Sequence, residues 1–215
     1  MDFVLKPLGL FARQVYCIGR NYAEHAAELG NAVPPQPIVF VKPTSSLVHS
    51  GYRIARPADV QEMDHEVELV VAIGGSGRNL AESTALDFVA GYGIGIDVTA
   101  RDRQRAAKEK GLPWLLAKGA DTFAPVSDFV PRAEVGDGPF SFSLFVNGEP
   151  RQKGSTSQMV FPVARLVSFL SSHFTLNPGD LIFTGTPSGV GPLVPGDRVV
   201  ATLEGTPARL EMEVV

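Results

Sequence analysis

The sequence predicts a strand-dominated α+β fold, one domain with a few helices packed outside it. Short runs rich in β-branched and aromatic residues recur along the chain, while helical periodicity is confined to three segments. The 22 glycines and 17 prolines are spread between those runs rather than gathered into a linker. With 215 residues there is enough chain for one substantial core. Residues 1–215 therefore read as a single domain, with 1–13 a short extension at its start.

In chain order, the strand-like runs are QVYCIG (14–19), PIVFVKP (37–43), EVELVVAI (66–73), FVAGYGIGIDVT (88–99), FSFSLFVNGE (140–149), DLIFTG (180–185) and RVVATLEG (198–205). Asn147-Gly148 suggests a tight turn, and LEGTPARLEMEVV a closing hairpin. The first helix is expected over 22–29, with Asn21 as N-cap, Glu24 at the capping-box position and Gly30 as its stop. A second covers about 99–111, and a third 162–174 with Pro162 in its first turn.

Composition narrows the function classes. Hydrophobic residues at 44% and charged residues at 20% are ordinary for a globular chain. Net charge is -4 and no basic stripe stands out, which argues against sequence-independent nucleic-acid binding. The one charged cluster, TARDRQRAAKEKG (99–111), alternates signs and reads as a solvated helix. No apolar run approaches the ~18 residues of a membrane span, and MDFVLKPLGL is too short and interrupted for a signal peptide. Cys17 is the lone cysteine, which fits a reducing, cytoplasmic setting and a small buried hydrophobe.

Chemistry concentrates in acidic side chains. On a strand Glu66, Glu68, Val70 and Ala72 share one face, so two carboxylates point the same way about 7 Å apart. In GYGIGIDVT, Asp97 ends a face cleared by Gly93 and Gly95, where a backbone or a ligand can approach closely. Solvated strand ends, and a capping role for Asp97, are the plain alternatives. Three carboxylates without thiolates or paired histidines suit a hard divalent cation, Mg²⁺ or Mn²⁺.

Seven segments, IGRNYAEHAAELG (18–30), PIVFVKPTSSLV (37–48), DHEVELVVAIG (64–74), GYGIGIDVTARDRQ (91–104), KGLPWLLAKGAD (110–121), VNGEPRQKG (146–154) and LIFTGTPSGVGPL (181–193), follow in order. Together they resemble the fumarylacetoacetate hydrolase family, in particular its short acylpyruvate-hydrolase-like members. The resemblance implies a mixed β-roll, a homodimer, and one Mg²⁺ or Mn²⁺ per chain on Glu66, Glu68 and Asp97. It implies that His25 and Glu28 activate water and that Lys118, beside the metal, is catalytic too, offsetting negative charge on the reacting oxygen. Gln104 and Thr186 match positions lining the substrate, and Arg20, Lys42 and Arg101 match basic positions near it. Two departures stand out: Gly119-Ala120 follows the lysine where members often carry Ser-Phe, and Asp64 stands where some carry histidine.

His25 and Glu28 are three residues apart and would share a helix face, where the carboxylate can orient the ring. The helix 22–29 is too short to stand alone, and the segment 20–32 is expected to act as a lid. The function this implies is metal-dependent cleavage of the C–C bond of an acylpyruvate. Oxaloacetate decarboxylation and hydroxymuconate-type isomerisation are alternatives on the same site, and a non-catalytic binding protein is another class. Arg151, Gln152 and the loop 30–37 are candidates for choosing the acyl group.

Overall fold

The computed structural model describes residues 3–28 and 32–215, apart from the side chains of Ala26 and Ala27. Two sheets dominate. The larger runs Ile38–Lys42, Val15–Gly19, Leu181–Phe183, Val67–Ile73, Val89–Ile96, Ala124–Val126, Leu47–His49, with Val130–Pro131 also paired to Val89–Ile96. The second runs Glu149–Ser155, Ser141–Val146, Arg198–Leu203, Arg209–Val214, Arg53–Ile54. A small third sheet joins Thr99–Ala100, Met63–His65 and Gly191–Pro192.

The large sheet curls. Val15 from its second strand and Leu47 from its last share one small cluster with Val70, Ala72, Val126, Leu181 and Phe183. Only a sheet bent round on itself brings those side chains together. The expected inward face of the central strand is thus Val70 and Ala72, with Glu66 and Glu68 toward one end. Its opposite face, Val67, Leu69, Val71 and Ile73, is just as buried and joins the main core with the second sheet and the helix Val163–His173. Alternation therefore marks two apolar environments here rather than core and solvent.

The glycines of GYGIG serve this curl. A Cβ on Gly95 would lie 2.7 Å from Val70 Cγ2 and 2.8 Å from Phe183 Cε1. The space they clear is taken by core side chains, not by a ligand. One end of the curl is closed by the hairpin of Val4–Leu5 with Leu10–Phe11, whose Leu5 is fully buried in the inner cluster. Cys17 lies in the same cluster.

The helices 99–111 and 162–174 are found as Arg101–Glu109 and Val163–His173. Asn147 and Gly148 both take positive φ, as a type I′ hairpin turn requires. The closing hairpin forms, though its last strand is flanked by Arg53–Ile54 and is not the sheet edge. The first helix spans Ala23–Glu28, and its expected caps are engaged elsewhere. Asn21 bonds to Phe161 and Thr184, and Glu24 accepts from Ser188. Gly30 lies outside the described residues. Among the described residues no helix is long and apolar enough to cross a membrane.

Gly95→Ala is expected to destabilise the fold by about 1–3 kcal/mol, since the added methyl overpacks the curl where Val70 and Phe183 cannot both withdraw. Urea unfolding checks this, and an unchanged midpoint would contradict the packing role.

Candidate active site

Antiparallel pairing of Val67–Ile73 with Val89–Ile96 puts Glu68 opposite Gly95, and the amide of Asp97 donates to the carbonyl of Glu66. Glu66 and Asp97 are thus cross-strand neighbours and Glu68 is two residues further in, all at one end of the curl. All are buried, with a carboxylate oxygen from each lying within 4.8 Å of the others. The backbone between the glutamates is fastened on both sides. Val67 N–H donates to Gln152 Oε1 and its carbonyl accepts from Thr186 Oγ1, while Gln152 Nε2 donates to Thr186 Oγ1. His65 Nδ1 also bonds Gln152 Oε1, at 2.8 Å.

Cations offset the acids. Lys118 Nζ donates to Glu66 Oε2 at 2.8 Å, Asp97 Oδ2 at 2.6 Å and Thr99 Oγ1 at 2.7 Å, which uses all its donors. Arg101 spans Asp64, Gln104 and Glu66 through three 2.7 Å bonds. Burial works to raise the Glu66 pKa, but Lys118 and Arg101 outweigh it and hold the carboxyl well below the usual range. Glu68 goes the other way. Burial first, then Asp97 and Glu66, push its carboxyl well up, against the single opposing bond from Gly185 N–H at 2.7 Å.

Lys42 requires a correction. It does not line the cleft; its ammonium is fully buried behind Asp97 and donates to the carbonyls of Val98, Lys118 and Phe123. Asp97 Oδ1 lies 2.7 Å from Lys42 Nζ, yet the ammonium hydrogens are committed to those carbonyls, so that oxygen has no hydrogen-bond partner. Lys42 therefore clamps the floor of the site and is out of reach of a substrate.

The cleft over this floor is lined by Arg20, His25, Glu66, Glu68, Asp97, Arg101, Gln104, Lys118 and Thr186, and further by Phe40, Lys108 and Trp114. His25 is buried and its Nδ1 sits 3.3 Å from Glu28 Oε2. Glu28 itself is half exposed, outside the lining, and accepts from Gly189 N–H. Arg20 is held at a positive φ of 59°. The hydroxyl of Thr186 is engaged with Val67 and Gln152, so its side chain fastens the floor.

Three sequence readings change. The charged helix is not solvated all round: Arg101 and Gln104 turn to the cleft, while Arg103 and Arg105 pair outward with Asp59 and Glu62. Gln152 is a buried fastener, not a selector of the acyl group. A Cβ on Gly119 would press on Pro43 and Leu115, so that departure closes a packing contact and does not reshape the cleft lining. Sequence reasoning missed the hold of Asp64 on Arg101 and the placement of Lys108 and Trp114.

The donor set fits a divalent cation. It is all oxygen, it is buried, and the Asp97 Oδ1 atom stands without a hydrogen bond.

Residues 14–215 match the profile of the fumarylacetoacetate (FAA) hydrolase C-terminal family. The chain belongs to the fumarylacetoacetate hydrolase family. Within it, the chain is 49% identical over 194 residues to the mitochondrial oxaloacetate tautomerase FAHD1 of Arabidopsis thaliana, covering 89% of this chain and 86% of that protein. It is 43% identical to the mitochondrial oxaloacetate decarboxylase of Dictyostelium discoideum, covering 94% of each. The crystal structure of fumarylpyruvate hydrolase from Pseudomonas aeruginosa with Mn²⁺ and pyruvate superposes with a TM-score of 0.94 at 38% identity, over 100% of this chain and 95% of that one. This member of the fumarylacetoacetate hydrolase family has the strand-dominated α+β fold expected from its sequence.

The two glutamates give opposite pH signatures. Glu66, depressed on folding, contributes stability that is full above its ordinary value of 4.5 and lost as pH falls below it. Glu68, raised on folding, contributes stability that is full below 4.5 and lost as pH climbs through its folded pKa. The metal-free protein should therefore show a Tm that falls from mildly acid toward alkaline pH, and Glu68→Gln should flatten that fall. Added Mn²⁺ should raise Tm more at higher pH, and an equal rise at every pH would remove Glu68 from the ligands.

Proposed function

We propose that this chain acts on enolisable 2-oxo acids and cleaves acylpyruvates, such as acetylpyruvate or fumarylpyruvate, to a carboxylic acid and pyruvate. The observation that carries this is the buried His25, paired with Glu28, lining the same cleft as the three carboxylates. Glu66, Glu68 and Asp97 would hold Mg²⁺ or Mn²⁺, which supplies Lewis acidity toward the keto and carboxylate oxygens of the substrate.

The rest falls to side chains. Glu28 accepts a hydrogen bond from Nδ1–H of His25, which leaves Nε2 as a base for a water molecule. The water oxygen bonds to the acyl carbonyl carbon, the C–C bond to the pyruvate unit breaks, and its electron pair passes into the enolate of pyruvate. The proton held on His25 is then delivered to the terminal carbon of that enolate, which becomes the methyl group of pyruvate. Gln104, whose carbonyl is fixed by Arg101, has an amide nitrogen to offer the substrate carboxylate. Lys118, saturated by Glu66, Asp97 and Thr99, sets the charge of the floor without donating to substrate.

A second reading, interconversion of keto and enol oxaloacetate or its decarboxylation, is favoured by the names of the relatives at 49% and 43% identity. It needs the same enol stabilisation but no attacking water. Acetylpyruvate and oxaloacetate assays run with Mn²⁺, and again after chelation, separate the two. Metal-dependent release of acetate and pyruvate supports hydrolysis; turnover of oxaloacetate alone replaces it with the second reading. His25→Ala should lower hydrolysis by about 10²–10⁴-fold while metal affinity stays put.

The remaining expectations belong to the same proposal: a homodimer in a reducing, cytoplasmic compartment, with the helix Ala23–Glu28 as a lid. Leu112, Leu115 and Leu116 are exposed beside the edge strand Ile38–Lys42, whose Val41 is exposed too, and such a patch suits a second copy. Sedimentation showing single chains at all concentrations would sink the dimer. Equal amide exchange in the lid with and without ligand would sink its closure.

A further inference from the structure

We propose that Lys108, together with Arg20, forms a second anion subsite in the cleft that selects 2-oxo acids carrying a second carboxylate at their far end. This rests on the 2-oxo-acid reading above and adds the chemistry of the distal group. Arg101, Gln104 and Lys108 are spaced i, i+3, i+7 on the helix Arg101–Glu109, which puts them on one face, and all three line the cleft. Lys108 Nζ lies 5.3 Å from the centroid of Trp114, another lining residue. The ring face holds the ammonium in place without cancelling its charge.

The charges of the site show what that ammonium is for. Asp64, Glu66 and Asp97 face Lys42, Lys118 and Arg101 through the ion pairs already described, and Glu68 stands beside them among the three clustered acids. With a divalent cation on the acids, this inner set carries one net positive charge, which one substrate carboxylate matches. Arg20 and Lys108 are left over. Neither has a carboxylate within ion-pair distance among the described residues, yet both line the same cleft. The pKa of Lys108 is lowered by partial burial first and then by Arg101 and Arg20, as expected of like charges held close without an anion between them. A second carboxylate offsets that repulsion, and a neutral acyl end does not.

The test uses the full chain loaded with Mn²⁺, comparing wild type with Lys108→Met and Lys108→Arg. Lys108 is exposed at the cleft mouth, so its replacement leaves the core intact. Calorimetry measures binding of 2-oxoglutarate, with two carboxylates, and 2-oxobutyrate, with one. Wild type should prefer the dicarboxylate by about tenfold, the size expected of one charged hydrogen bond, and Lys108→Met should erase that preference. Lys108→Arg should keep most of it. In turnover, the ratio of kcat/KM for fumarylpyruvate over acetylpyruvate should fall by a similar factor in Lys108→Met.

Equal weakening of both acids, or an unchanged preference, overturns the subsite. If no 2-oxo acid is turned over but the calorimetric preference tracks Lys108, the subsite stands and the catalytic reading fails. If turnover proceeds and the preference ignores Lys108, the subsite alone fails. Wild type that binds neither acid overturns both.

Discussion

Three carboxylates held within 4.8 Å of one another inside a protein are the constraint to which the rest of this site answers. Each would lose several kcal/mol of hydration, and each repels the others. The fold meets this with fixed cations. Lys118 bridges Glu66 and Asp97, Arg101 reaches Glu66 from the helix side, and Lys42 approaches Asp97 from below. Glu68 receives only a backbone N–H, and it is the carboxyl whose pKa rises. A divalent ion is the remaining partner the donor set accommodates. It would find its ligands already aimed, so little ordering entropy is left to lose on binding.

The alignment of those ligands is a property of the curled sheet. Antiparallel pairing puts Glu66 beside Asp97, and glycine opposite Glu68 lets Phe183 and Val70 fill the interior immediately behind the acids. A dry interior on one side and an open cleft on the other means that charge is stabilised by placed dipoles instead of mobile solvent. Gln152 belongs to the second sheet and Thr186 to the loop after Leu181–Phe183, yet both hold the backbone of Val67. The spacing of the two glutamates is therefore set jointly by both sheets, which couples the site to the integrity of the whole sandwich.

The carboxylate face was legible because strand side chains alternate, and a period of two survives in any environment. The burial of the opposite face was not, since apolar residues on both faces leave no contrast to read. Lys42 shows the other limit. Its partners lie 56 to 81 residues away in sequence, so resemblance could place it near the site but not beneath it. Gln152 failed for the same reason, having partners 34 to 87 residues off. On the helix 101–109, alternating charges hid a stripe facing the cleft, because net charge cancels where the inward and outward faces carry different roles. Asp64, noted as a departure from the family, was legible as unusual but not as the anchor of Arg101.

Floor and roof are built differently, and that difference bears on the reaction. The floor is pinned by short buried bonds between sheets and strands. The roof is the helix Ala23–Glu28, tied at its root by the Asn21 side chain, which donates to Phe161 and Thr184 and accepts from Phe161 N–H, and leaning on Ser188 and Gly189 through Glu24 and Glu28 at 3.3 Å. On the proposed reading, stabilising an enol falls to the floor, and delivering water or a proton to one particular carbon falls to His25 on the roof. A change in the floor would then remove the intermediate that hydrolysis, decarboxylation and tautomerisation share, and a change in the roof would alter which of them follows.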